Sequence, residues 1–125
     1  MLDVVLIMHR KAIAQELMAK LKGNKDISLI YEPDYSRAMI AIANCNAKAA
    51  LIEAAESGPY DMDYCLTLCK KIREEKPYCK LFLMCSEQDE GSIKQVVGAK
   101  GHKLIDDFVF YDVTIDYLAS KLISI

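Results

Sequence analysis

Residues 3–23 read DVVLIMHRKAIAQELMAKLKG, and their hydrophobic period changes at the midpoint. From Asp3 to Met8 the run is almost wholly apolar, the pattern of a strand covered on both faces. From His9 to Lys22 the period is helical. Ile13, Leu17 and Leu21, with Ala14 and Met18, fall on one face, and Gly23-Asn24 supplies a stop. A strand running directly into an amphipathic helix is one repeat of an α/β fold, so the architecture depends on how often the unit recurs.

It recurs four more times. Ile27 to Tyr31 is a second strand closed by Pro33, and Tyr35 to Cys45 returns to helix with Ala38, Ala41, Ile42 and Cys45 inward. Ala47 to Glu53 is the third strand. Its helix, Asp61 to Glu75, carries Cys65, Leu68, Cys69 and Ile72 on one face and ends at Lys76-Pro77. Leu81 to Cys85 is the fourth strand, followed by a helix from about Asp89 to Ala99 that Gly98 and Gly101 are expected to break. Phe108 to Tyr111 is the fifth strand and Val113 to Leu122 the last helix. Five strand–helix units in strict alternation predict an α/β fold: a doubly wound, flavodoxin-like (βα)5 parallel sheet with helices on both faces.

Composition limits the functional classes. A chain of 125 residues, 53% hydrophobic and 27% charged, suits one globular domain spanning 1–125, and its apolar end raises the expectation of a further domain after it. A net charge of −2 gives no reason to expect nucleic-acid binding. No apolar stretch is long enough to span a bilayer and the start lacks a signal-peptide pattern, so a cytoplasmic location is expected. The five cysteines, an odd number without a C-x-x-C pair, read as small hydrophobes rather than a disulfide framework.

In an open parallel sheet the chemistry gathers at the carboxyl ends of the strands. Those ends carry Met8-His9, Tyr31-Glu32, Glu53, Cys85-Ser86 and Tyr111-Asp112. Glu53, an acid ending a strand of Ala, Leu and Ile, is the most conspicuous. A nucleotide site is not indicated, because His9-Arg10-Lys11 stands where a glycine-rich phosphate loop would follow the first strand.

The order of elements, with IREEKP at 72–77 and IDDFVFYD at 105–112, resembles the receiver domain of bacterial response regulators along the whole chain. That resemblance implies an acidic pair after the first strand that holds Mg2+, and a phosphoacceptor Asp ending the third. It also implies a Thr or Ser ending the fourth strand and a Lys-Pro pair ending the fifth. With Ile13 matched to the family's aliphatic residue in the first helix, the acidic pair falls on Met8 and His9. The phosphoacceptor position is Glu53, and the hydroxyl position is Cys85, with Ser86 adjacent. The lysine falls on Tyr111 and the proline on Asp112, while Phe108 matches the aromatic whose orientation reports activation.

Chemistry then predicts a pseudo-receiver that keeps the fold without the reaction. Magnesium needs hard oxygen ligands, which Met8 lacks and a neutral His9 supplies poorly, so Mg2+ binding is expected to be lost. Phosphoryl transfer relies on positioning and on neutralised charge, and the lysine is gone as well. On this reading the chain is no enzyme. It signals through a protein partner or an attached output domain, and the resemblance also implies a homodimer face on the fourth helix, fifth strand and fifth helix. The alternative is a working phosphoacceptor using Glu53 or a nearby acid, Asp61 or Asp63.

Several local questions stay open at this level. Glu53 is either a fixed charge standing in for a phosphorylated Asp or a strand cap pointing into solvent. His9 either pairs with Glu53 or lies exposed on the first helical turn. His9, Glu53 and Cys85 are zinc ligands by type. Cys85 is a low-pKa thiol or simple packing. Tyr111 is expected to fill the vacated lysine pocket and bring its hydroxyl near Glu53. Lys70-Lys71-x-Arg73 and Glu74-Glu75 read as a solvated helical face.

Overall fold

Alternation along the two central strands sets the architecture, because successive side chains of a strand point to opposite faces. In the computed structural model, which describes residues 2–125, β1 (Leu2–Ile7) lies between β2 (Ile27–Glu32) and β3 (Ala49–Glu53). The sheet continues through β4 (Lys80–Cys85) to β5 (Asp107–Phe110), in the order β2-β1-β3-β4-β5, and all its pairings are parallel. Val4, Leu6 and Leu51 pack under α1 (Lys11–Lys20) and α5 (Ile115–Ile123), against Leu17, Leu118 and Leu122. Val5, Ile7 and Ile52 face the other way, toward α2 (Ala38–Cys45), α3 (Met62–Glu75) and α4 (Glu90–Gly101). Burying each Leu or Ile of these layers contributes about 1.5–3 kcal/mol. All five residues of β3 are buried, so its terminal acid emerges at the centre of the molecule.

The predicted doubly wound fold is therefore the observed one, and the differences lie at element ends. Gly98 and Gly101 do not break α4, which Asp89 caps through the Ser92 amide and which continues to Gly101. Its stop is the turn at His102-Lys103, where Lys103 takes φ 62°. Tyr35–Arg37 forms a separate 3-10 turn before α2, and Asn46, at φ 50°, ends that helix in the left-handed region. The start of α1 is Lys11 rather than His9, for a reason given below.

Arg73 corrects the expectation of a purely solvated charge run on α3. Its guanidinium donates to the Leu104 carbonyl at 3.0 and 3.3 Å and to Asp106 Oδ2 at 3.0 Å, and Asp106 in turn accepts the Leu81 amide at 2.8 Å. This clamp fastens the end of α3 to the starts of β4 and β5. The cysteines behave as the composition suggested: all five are unpaired and all but Cys45 are buried. Burial pushes the Cys69 thiol up to about 12 and Cys79 up to about 11. Among the described residues no helix is long and apolar enough to cross a membrane.

Asp107 ties β5 to both flanking helices. It accepts from Lys100 of α4 at 3.0 Å, from Lys121 of α5, and from the Phe108 amide at 2.8 Å. Burial opposes its charge, yet the Lys121 and Lys100 hydrogen bonds outweigh that and bring its pKa down to about 2. Folding thus lowers this pKa below its ordinary 3.8, so the stabilisation is complete above that value and disappears as the pH falls through about 2. Urea denaturation at a series of pH values should show Asp107→Asn with a shallower acid limb across that window than the parent chain.

Candidate functional site

The turn between β1 and α1 lacks any side-chain cap of its own. Arg10 sits at the N-cap with φ −82° and ψ 89°, and no hydroxyl or carboxylate nearby in sequence receives the first amides. Glu53 does so from the neighbouring strand. Its Oε1 accepts the backbone N–H of His9 and of Arg10, each at 3.1 Å. Placing a carboxylate against a helix N-terminus satisfies orphan donors and matches the helix dipole. This is why α1 begins at Lys11: the two residues before it are drawn down onto Glu53.

Two side chains complete the enclosure. Arg10 Nε lies 2.9 Å from Glu53 Oε2 as an ion pair, and among the described residues Oε2 has no hydrogen-bond partner. His9 Nδ1 lies 3.2 Å from Oε1. The Glu53 side chain is 0% exposed, whereas those of His9 and Arg10 remain 46% and 43% exposed. Glu53 is thus a buried anion roofed by two half-exposed basic side chains, and it does not point into solvent. Of the two readings of His9, the contact with Glu53 is present, and the imidazole is at the same time half-exposed. Arg10 is the residue that the sequence reading passed over, visible there only as part of a basic triplet where a phosphate loop was absent.

Tyr111 does fill space beside this pair, and its hydroxyl comes near Glu53 but bonds the neighbouring carbonyl rather than the carboxylate. The phenol donates to the Ala54 carbonyl, one residue past Glu53, and its ring lies 4.0 Å from Arg10 Cζ in a cation–π arrangement. Burial, followed by the Glu53 charge, raises the phenol's pKa, while Arg10 opposes the shift. A second phenol, Tyr35, donates to the Glu53 carbonyl at 2.5 Å, and burial raises its pKa too. Tyr35 is stacked on Tyr60 of the β3–α3 loop with ring centroids 4.3 Å apart, and Tyr64 meets Tyr60 edge-on at 5.1 Å. The sequence contains no pattern that would announce Tyr35 as part of this site.

The remaining strand ends are quieter. Met8 is fully buried in the α1–α5 layer. Cys85 is buried, and desolvation aided by Asp89 pushes its thiol up to about 11, so the low-pKa reading does not hold. Ser86 Oγ accepts the Gln88 amide at 3.2 Å within its own loop. Cys85 is not gathered with His9 and Glu53: among the described residues no group of three or more His, Cys, Asp or Glu side chains is placed to hold a metal ion. Asp61 caps α3 through the Tyr64 amide, and Asp63 bonds Gln95 across to α4 at 2.6 Å. Phe108 packs edge-on to Phe110 at 5.7 Å on the α2–α4 side of the sheet.

Solved structures resemble this chain over nearly its whole length. An orphan response regulator of H. pylori superimposes with a TM-score of 0.78 at 13% identity, covering 98% of this chain and 94% of that one. A two-component response regulator from Clostridium difficile gives 0.77 at 22% identity, covering 99% and 94%. A LuxR-family DNA-binding response regulator from Staphylococcus aureus also gives 0.77, at 14% identity, covering 99% and 98%. No protein-family model matches the sequence, and no curated protein matches it significantly. The fold is that of response-regulator receiver domains.

Removing the guanidinium should expose the cost of a buried carboxylate. Arg10→Ala is expected to lower stability by roughly 1–3 kcal/mol in urea denaturation, trimmed from the fully buried case by the exposure of Arg10. Adding Glu53→Gln should recover part of that loss, and a double variant no more stable than Arg10→Ala would count against the pair.

Proposed function

We propose that this chain is a receiver-like signal-transduction module that acts through protein contacts and does not pass through a phosphorylated state. The observation that carries the reading is the enclosure of Glu53. An acceptor carboxylate must present an oxygen in line with the incoming phosphorus. Here Oε1 is held by two backbone amides, Oε2 faces Arg10, and the side chain has no exposed surface. A phosphodonor would have to displace the guanidinium and uncap α1 before it could approach.

The ligand set does not fit the cation that the fold family implies. Magnesium takes six hard oxygens in near-octahedral geometry. Met8 offers a buried thioether, His9 an imidazole already beside Glu53, and the site's one buried carboxylate is matched by Arg10. Tyr111, in the lysine position, spends its hydroxyl on the Ala54 carbonyl. In this reading the domain has no catalytic role. Glu53 and Arg10 supply internally the opposite charges that phosphoryl group and cations would bring, and so hold the strand ends in one arrangement.

Signal transfer then falls to surfaces. A protein partner or an attached output domain fits a fold shared with a DNA-binding response regulator of S. aureus. The face made by α4, β5 and α5 suits either such a contact or a second copy: Val97 and Tyr117 are each 52% exposed there, beside the Lys100–Asp107–Lys121 ladder. Direct contact of this domain with nucleic acid is not part of the proposal.

Incubation with Mg2+ and acetyl phosphate, followed by intact-mass measurement, should leave the mass unchanged. Beryllium fluoride with Mg2+ should leave the amide resonances of residues 8–10 and 53–55 in place. A stable adduct at Glu53, Asp61 or Asp63 would instead establish a working phosphoacceptor.

A further inference from the structure

We infer that the groove between α3 and α4 docks an acidic amphipathic peptide segment of a partner protein. This deepens the protein-contact reading above and rests on it. The groove is an open-sided depression of about 760 Å3, within the size range of ligand clefts. Leu66 of α3 and Leu104, beyond α4, give it apolar sides that are only partly buried. Gly98 opens it: an added Cβ at that position would meet nothing within 4 Å, so the α4 wall is recessed where a larger residue would fill the space.

Its rim decides the sign of the partner. Lys70, Lys94 and His102 border the groove, and among the described residues neither lysine is ion-paired. The acid along the same groove, Asp63, bonds Gln95 of α4 at 2.6 Å and closes that end. With Asp63 hydrogen-bonded to Gln95 and the histidine counted neutral, the two lysines leave the groove lining one positive charge in excess on a chain of net charge −2. Carboxylates would meet the lysines while aliphatic side chains cover Leu66 and Leu104, the arrangement by which an amphipathic helix lies in a groove. The apolar sides favour a peptide over a nucleic-acid backbone.

The test titrates the 15N-labelled chain with three probes: a synthetic amphipathic peptide of Glu and Leu, its Lys-for-Glu counterpart, and a short single-stranded DNA. The Glu peptide should move amides of Leu66, Thr67, Gly98, Ala99 and His102. Lys70→Glu with Lys94→Glu should weaken it about tenfold. Gly98→Leu should block it while the spectrum elsewhere stays folded, since Leu suits a helix better than Gly. The proposal is overturned by no shift, shifts confined to other faces, binding unaffected by these variants, or an equal response to the Lys peptide or DNA. Concentration-dependent shifts of these residues without peptide would overturn it too, by identifying a second copy as the occupant. A phospho-adduct at Glu53 would defeat the phosphorylation-free reading yet leave the peptide shifts intact, so the two failures are distinguishable.

Discussion

A single carboxylate on the central strand holds the first helix in place. Glu53 leaves β3 fully buried and meets the two amides that precede α1, which has no cap from its own sequence. Burying an anion is costly unless donors and an opposite charge surround it. Here the helix N-terminus, Arg10 and His9 provide both. Because β1, β3 and α1 converge at this point, the same contact that satisfies the acid also fixes where α1 starts and how the β1–α1 turn lies over the sheet. The tyrosines reinforce it from either side: Tyr35 takes the Glu53 carbonyl and Tyr111 the next one along.

The fold family and the chemistry of this site can thus be separated. The (βα)5 frame depends on the alternation of β1 and β3 and on the helical stripes that cover them, while the strand-end acid Glu53 sets where α1 starts. What the strand-end residues do depends on charge balance. This site has one buried carboxylate and a guanidinium stacked on an aromatic ring, so its charges are balanced from within.

The frame was legible because it is written in period. The unbroken run Val4–Met8 and the stripe Ile13, Leu17, Leu21 identify a strand and a helix without reference to any partner. Element ends were less legible, since they depend on tertiary contacts: Lys11 opens α1 because of Glu53, and α4 runs through Gly98 because Val96 and Ala99 pack on the core. At the site, the position of Glu53 could be read from β3, and its contact with His9 from adjacent strand ends. Its burial could not, because that depends on Arg10 folding back over it, a side-chain direction that spacing does not encode. Tyr35 was hidden for the same reason, since it reaches Glu53 from a turn 18 residues away.

The tyrosine cluster gives this molecule a built-in optical label. The chain has no tryptophan and seven tyrosines, and Tyr35, Tyr60 and Tyr64 pack together where the β3–α3 loop folds over the end of β3. Phenols packed against one another in a fixed, asymmetric arrangement give induced dichroism, so these three should dominate the near-ultraviolet dichroism of the native state. The near-ultraviolet dichroism, unlike the absorbance shared by all seven tyrosines, therefore reports chiefly on the neighbourhood of Glu53 without a label being attached.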